Sequence, residues 1–275
     1  MLGVLVGDIL GSPYEGKKVV SARKKIYLQR RLDALEGTKF REPVMEFTDD
    51  SAMTRSLAES LIEKRDLDIV DVAKRFVESY YQEPYRGYGA GSISAIAIQQ
   101  SLCLYPSEEL NVSNFIDDLI NKMDKIEVGE SQPFKERLSI VKNLLSEDGD
   151  ESNEQRIVKE LGANLRGLEP NEQRVVKELG ANVRALESVP TAIFCFLKAQ
   201  RRIKRIRTNN PVRRAIQYAI TLGGDTDTIA SMTGAIAGAF YGYEKFSRLL
   251  LSHCEQADRF EELADELLDV VTSKS

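Results

Sequence analysis

Apolar residues recur at helical spacing along nearly the whole chain, and runs of alternating polar and apolar residues, which a half-buried strand needs, are absent. Ile69, Val72, Ala73, Phe76, Val77 and Tyr80 fall at i, i+3, i+4, i+7, i+8 and i+11, one apolar stripe on one helix face. Similar patterns cover roughly 51–64, 93–104, 112–126, 134–146, 190–206, 211–221, 228–242 and 256–271. The expected fold is therefore all-α, with short connections that carry the glycines and acids. At 275 residues, 42% of them hydrophobic, the chain is long enough for one large core, and we expect a single domain over 1–275.

Charge and cysteine usage exclude several classes of function. A net charge of −5 argues against a general nucleic-acid-binding surface, so an anionic substrate would need positive charge supplied locally. Cys103, Cys195 and Cys254 are odd in number and lack a CxxC spacing, which points to reduced thiols inside a cell rather than a disulfide framework. Cys103 and Cys195 sit in apolar helical runs and read as core. The opening Met1–Gly7 stretch is apolar but has no basic flank and is interrupted by Asp8, so we do not expect a leader peptide. The run from Ile229 to Tyr241 is too short to span a membrane; with Ala230, Gly234, Ala237 and Gly238 it reads as a close-packed central helix. The one histidine, His253, is expected on the surface of a C-terminal helix, which argues against histidine-based catalysis.

The chemistry is concentrated in two clusters, Thr48-Asp49-Asp50 after Phe47, and Asp225-Thr226-Asp227-Thr228 after Gly223-Gly224. Each mixes carboxylates with hydroxyls just before an apolar, helix-like run, the set of oxygens that a hard divalent cation such as magnesium takes. Adjacent aspartates at a helix start repel unless a cation or the helix NH groups compensate. Capping by Thr48 or Asp49 is the plain alternative for the first cluster; for the second, a cap accounts for one acid and leaves the rest over. The clusters are 175 residues apart (225 − 50), so sharing ions requires the fold to join two helix starts. Glu15 follows Gly7-Asp8-Ile9-Leu10-Gly11-Ser12-Pro13-Tyr14 and falls on a loop after a buried helix, a frequent place for a catalytic carboxylate.

Three further features are less specific. Arg86-Gly87-Tyr88-Gly89-Ala90-Gly91-Ser92 is either a plain turn or a loop whose NH groups meet phosphate while Tyr88 stacks on a base. Arg201-Arg202-Ile203-Lys204-Arg205-Ile206-Arg207 reads first as a solvated helix end, and second as a nuclear address or a contact for an acidic polymer. Residues 153–170, NEQRIVKELGANLRGLEP, recur at 171–188 as NEQRVVKELGANVRALES, a tandem repeat with an offset of 18 (171 − 153). Gly162, Gly167 and Pro170 argue against one continuous helix through the repeat, and a single pair is too short for a solenoid. We expect one copy to be an extruded insertion and the second, which runs into Ser188-Val189-Pro190, to occupy the structural position.

The segments GDILGSPYEG, FTDDSAMT, RGYGAGS, ESVPTAIFCFL and LGGDTDTIASMTGAIAGAFYG, in that order, resemble the ADP-ribosylglycohydrolase family. They are most similar to its eukaryotic branch acting on serine-linked ADP-ribose, poly(ADP-ribose) and O-acetyl-ADP-ribose. The resemblance implies a compact orthogonal multi-helix fold, a hydrolase, and a binuclear magnesium site with Thr48, Asp49, Asp50, Asp225, Asp227 and Thr228 as ligands. It implies Glu15 and Asp49 as the catalytic residues, and Gly87, Tyr88, Gly89 and Gly91 as substrate contacts. The implied partners are ADP-ribosylated proteins or poly(ADP-ribose), with no direct nucleic-acid or membrane contact, for a monomer of the cytoplasm and nucleus, with the mitochondrion as a further compartment, in the DNA damage response. The chain departs from the family after Gly91, passing almost directly into the next helix, and nothing in it reads as the family's GNGGxMR stretch or its nearby histidine. A shortened relative that binds metal or ADP-ribose without turnover is the alternative, and an unrelated two-metal phosphohydrolase a third.

Overall fold

In the computed structural model, which describes residues 1–16, 20–38, 43–86, 111–126, 132–146 and 170–273, the helices in chain order are α1 (Leu2–Gly11), α2 (Ala22–Leu35), α3 (Asp49–Lys64), α4 (Ile69–Gln82), α5 (Val112–Ile126), α6 (Pro133–Ser146), α7 (Pro170–Glu178), α8 (Ala185–Lys198), α9 (Pro211–Leu222), α10 (Thr226–Tyr241), α11 (Arg248–Leu251) and α12 (Ala257–Thr272). Among the described residues there is no strand, only an isolated bridge between Met45 and Cys254, so the all-α expectation holds. No described helix is long and apolar enough to cross a membrane.

Helix α10 is the central element expected from its small residues: Ile229, Ala230 and Ala237 are fully buried, and the helix packs against α1, α8 and α9. Its contact with α1 is made backbone to backbone. A Cβ on Gly3 would stand 1.9 Å from the Gly234 carbonyl oxygen, one on Gly7 2.1 Å from that of Ala230, and one on Gly11 2.4 Å from that of Thr226. Three glycines at i, i+4 and i+8 thus form one bare strip along α1, and any side chain there would force the helices apart. Numbers rise along α1 as they fall along α10, so the pair is antiparallel, and the end of α1 lies beside the start of α10. That is how the loop bearing Glu15 meets the second acidic cluster.

Most helix positions follow the apolar pattern, with three informative departures. Helix α2 escapes the pattern because its buried residues, Leu28, Leu32 and Leu35, form a narrow stripe within ARKKIYLQRRLDAL, where cations outnumber them. Helix α8 covers Ala185–Lys198 rather than 190–206: Pro190 lies inside it, and the chain leaves the helix after Lys198. Ile203 and Ile206, which extended the apolar pattern, pack inward from a loop, so the basic cluster lies on a loop and not on a helix end. His253 sits partly buried in the turn between α11 and α12, where its carbonyl accepts from Met45 N, and not on a helix surface.

Cys195 and Cys254 are buried free thiols, and burial raises both pKa values. Cys103, the helix expected at 93–104, and the first repeat copy up to residue 169 lie outside the described residues. The second copy begins in α7, where Pro170 takes the first turn that a proline tolerates.

Candidate active site

Asp8 is the only charged residue of α1, and it is fully buried. Its Oδ1 accepts from Thr48 Oγ1 at 2.6 Å, and its Oδ2 from Thr48 N at 3.0 Å and Ser51 N at 3.1 Å. The two NH groups belong to the N-cap and the first turn of α3, where none has a partner within the helix. The helix is therefore capped by a carboxylate from another helix, while Thr48, at the N-cap, makes no side-chain cap bond. Capping by the Thr48 side chain, one plain reading of the first cluster, does not occur. Asp8 itself is the functional residue that sequence reasoning passes over. Its signal is a lone charge in an apolar run, which on sequence grounds argues only against a leader peptide.

The second cluster is held by backbone. Gly223 and Gly224 both have φ of +80°, and a Cβ on Gly224 would lie 1.8 Å from the Ala181 carbonyl oxygen. Gly224 permits that approach, and Asp225 N then donates to the Ala181 carbonyl at 2.8 Å. Gly16 N donates to the Gly224 carbonyl at 2.9 Å, and Thr226 Oγ1 to that of Gly11 at 2.9 Å. The two clusters meet directly, Thr228 Oγ1 donating to Asp50 Oδ2 at 3.1 Å.

The result is two overlapping carboxylate groups. One oxygen each from Asp8, Asp50 and Asp227 lie within 4.8 Å of one another, and so do oxygens from Glu15, Asp225 and Asp227. Asp227 belongs to both. Burial, reinforced by neighbouring carboxylates, holds the Asp50 carboxyl well above the usual range and pushes Asp227 up to about 8. Burial also raises Asp8, and burial followed by Asp225, Asp49 and Asp8 raises Glu15. So many anions cannot all ionise at neutral pH without a counter-charge among them. Asp225 Oδ2 is buried with no hydrogen-bond partner, an orphan that a cation would satisfy.

Part of this cluster opens on a cavity of about 830 Å³, within the range of small-ligand sites. Glu15, Thr48, Asp49, Asp225, Asp227 and Thr228 all line it. The repeat lines the same cavity with Val176, Gly180, Ala181, Asn182 and Val183 of the second copy. The expected substrate contacts Gly87, Tyr88, Gly89 and Gly91 lie outside the described residues. Arg86, immediately before them, is only 3% exposed. Its guanidinium lies 3.7 Å over the Phe47 ring and donates to the Phe47 carbonyl at 2.7 Å, to Glu255 at 2.7 and 3.0 Å, and to Glu83 at 2.7 Å. Glu255 in turn accepts from Phe47 N at 3.2 Å. One buried ion pair thus binds both peptide groups of the residue preceding Thr48.

An all-helical fold whose two acidic helix starts converge on a cleft defines a class, and comparison gives that class its name. The ADP-ribosylglycohydrolase profile matches residues 1–102 and 85–275, and the chain belongs to that family of hydrolases. Among its relatives, the ADP-ribosylhydrolase ARH3 of Mus musculus is 30% identical, with 100% of this chain and 91% of that protein covered. The ARH3 of Gallus gallus is 30% identical over 97% of this chain and 91% of that protein, and the ARH3 of Homo sapiens 29% over 97% and 91%. The alignment with the mouse protein runs over 358 positions against 275 residues here, so this chain skips a stretch that the relative has. The profile changes segments between 85 and 102, where the motifs place the break.

Proposed function

We propose that the protein is a magnesium-dependent hydrolase that cleaves the glycosidic bond between ADP-ribose and an acceptor, namely serine-linked ADP-ribose, poly(ADP-ribose) or O-acetyl-ADP-ribose, at a site for two ions. The observation that carries the reading is the pair of carboxylate groups sharing Asp227 at the wall of the cleft. The donor set fits a hard cation: every side chain is an oxygen donor, anionic oxygens outnumber hydroxyls, and one buried Asp225 oxygen has no other partner. Thr48, Asp49, Asp50, Asp225, Asp227 and Thr228 would hold the ions, with Asp8 fixing the turn that presents Thr48 and Asp50.

Magnesium, when bound, would orient the ribose hydroxyls and polarise a water, while the negative charge of the surrounding carboxylates would stabilise the oxocarbenium-like centre. Glu15, exposed at the rim and raised in pKa by burial and by its anionic neighbours, takes a proton from the attacking water; Asp49 beside it is the other candidate base. The water oxygen bonds to the anomeric carbon as the bond from that carbon to the acceptor oxygen breaks, and the proton taken up by the carboxylate is returned to the departing acceptor oxygen. Gly87, Tyr88, Gly89 and Gly91 are assigned to the diphosphate and adenine. In this reading the protein acts as a monomer on ADP-ribosylated proteins or poly(ADP-ribose), in the cytoplasm and nucleus.

The skipped stretch favours a second reading, a relative that binds metal or ADP-ribose without turnover. Incubation of a serine-ADP-ribosylated peptide with Mg²⁺ separates the two. Free ADP-ribose from the wild type and none from Asp49→Ala supports the hydrolase; no release despite calorimetric Mg²⁺ binding leaves the binding protein.

A further inference from the structure

The basic loop after α8 is absorbed by neither the fold nor the cleft. Ala199 to Thr208 is pinned at both ends by one buried side chain: Arg214 Nε donates to the Ala199 carbonyl at 2.7 Å and its Nη1 to the Thr208 carbonyl at 3.2 Å. Gln29 of α2 closes the same segment from outside, accepting from Arg207 N at 3.0 Å and donating to the Arg207 carbonyl at 3.2 Å. Ile206 N donates to the Ile203 carbonyl at 3.1 Å, which makes a turn, and Arg205 within it has φ +73°. Ile203 and Ile206 face the core, so Arg201, Arg202, Lys204, Arg205 and Arg207 are all directed to solvent.

The loop is thus a fixed frame that displays five cations in seven residues on a protein of net charge −5. No described carboxylate pairs with Arg201, Arg202, Lys204 or Arg207. Gln29 also donates to Asp33, but that carboxylate is already engaged by Arg213. The positive field is felt nearby: the Lys198 ammonium is lowered to about 8, by burial first and by Arg201 second. A frame ordered before binding loses little entropy on binding, and closely spaced exposed cations suit closely spaced phosphates. No described aromatic ring is exposed on this loop to stack on a base, so the recognition is of backbone phosphate.

We propose that the 201–207 loop is a second binding surface, separate from the cleft, that holds the phosphates of an ADP-ribose polymer while a terminal unit occupies the site. The choice of polymer rests on the proposed function; the polyphosphate chemistry rests on the loop. The loop is at the far end of α8 from the cleft. A helix of 14 residues is about 21 Å long, so a multi-unit chain can span the distance and a single ADP-ribose cannot. The surface therefore confers a preference for long chains.

The test measures fluorescence anisotropy with labelled poly(ADP-ribose), using wild type, Asp49→Ala, and the combined variant Arg201→Gln, Arg202→Gln, Lys204→Gln, Arg207→Gln. Equal-length single-stranded RNA and inorganic polyphosphate are the competitors. Binding is expected to persist in Asp49→Ala and to weaken by about tenfold or more in the loop variant, with the salt slope reduced by about 0.7 for each phosphate no longer neutralised. Hydrolysis of the mono-ADP-ribosylated peptide should be unchanged in the loop variant, while turnover of long polymer falls. Persistent polymer binding by a protein that releases no ADP-ribose would overturn the proposed function and spare the surface. Wild-type polymer affinity in the loop variant, or RNA competing as well as poly(ADP-ribose), would overturn the surface as assigned. A melting temperature equal to wild type confirms that the variant is folded.

Discussion

The first acidic cluster is held in place by side chains and the second by backbone. At the first, Asp8 reaches across from α1 to occupy the NH groups of α3, while Arg86 and Glu255 bind the peptide groups of Phe47. At the second, two glycines of positive φ bring the chain against Ala181, and Asp225 N and Gly16 N complete the hold. Charged supports tune as well as position, because Asp8 also adds its own negative charge beside Asp50. Backbone supports only position. The supports of the first cluster should therefore respond to charge-changing substitutions, and those of the second to changes of shape.

The largest effect is expected where the clusters join. Asp227→Ala removes the one carboxylate common to both groups and should abolish Mg²⁺ binding in calorimetry, whereas Asp49→Ala should weaken it. Equal loss in both variants would show that Asp227 is not the organising residue.

Next, Asp8→Asn should lower Mg²⁺ affinity by about 10–100-fold, as loss of the group that orients the ligands does. The same substitution should cost on the order of 1 kcal/mol of stability through the weakened cap. An affinity unchanged by Asp8→Asn would make its charge irrelevant and reduce it to a cap.

A purely steric test follows at the second cluster. Gly224→Ala puts a Cβ onto the Ala181 oxygen and should destabilise by about 1–3 kcal/mol. Gly16→Ala, also at positive φ but with nothing within 4 Å, should cost less, about 1 kcal/mol. Equal melting-temperature losses would mean that the contact with Ala181 does not matter.

The smallest effect is the pH dependence. Carboxyls whose folded pKa is raised favour the metal-free fold below their unfolded value near 3.8, and that contribution is lost as pH rises through the folded value, about 8 for Asp227. A cation that replaces those protons restores it. The rise in melting temperature on adding Mg²⁺ should therefore be small at pH 5 and larger at pH 8; a rise that shrinks with pH would contradict the assignment of these carboxyls as ligands.

Much of this arrangement is legible in the chain. Asp/Thr clusters before apolar runs name their own chemistry, and strong periodicity places α3, α5, α6, α9, α10 and α12 within a few residues. Most of what escapes a reading of the chain shares one physical cause. Asp8, Arg86 and Ala181 act through partners far along the chain, on α3, at Glu255 and at Asp225, and local spacing carries no record of them. Helix α2 is hidden for a local reason, its narrow leucine stripe among cations. The repeat is plain to see, yet only the fold shows that its second copy walls the cleft.

By itself, the sequence determined the all-α class, the family, and the oxygen-rich donor set, because periodicity, motif order and residue chemistry are properties of short stretches. Tertiary structure decided which oxygens converge. Two helix starts far apart in the chain become one centre because the glycine strip of α1 lets α10 approach to backbone contact, and because Asp8, on that same helix, holds the start of α3.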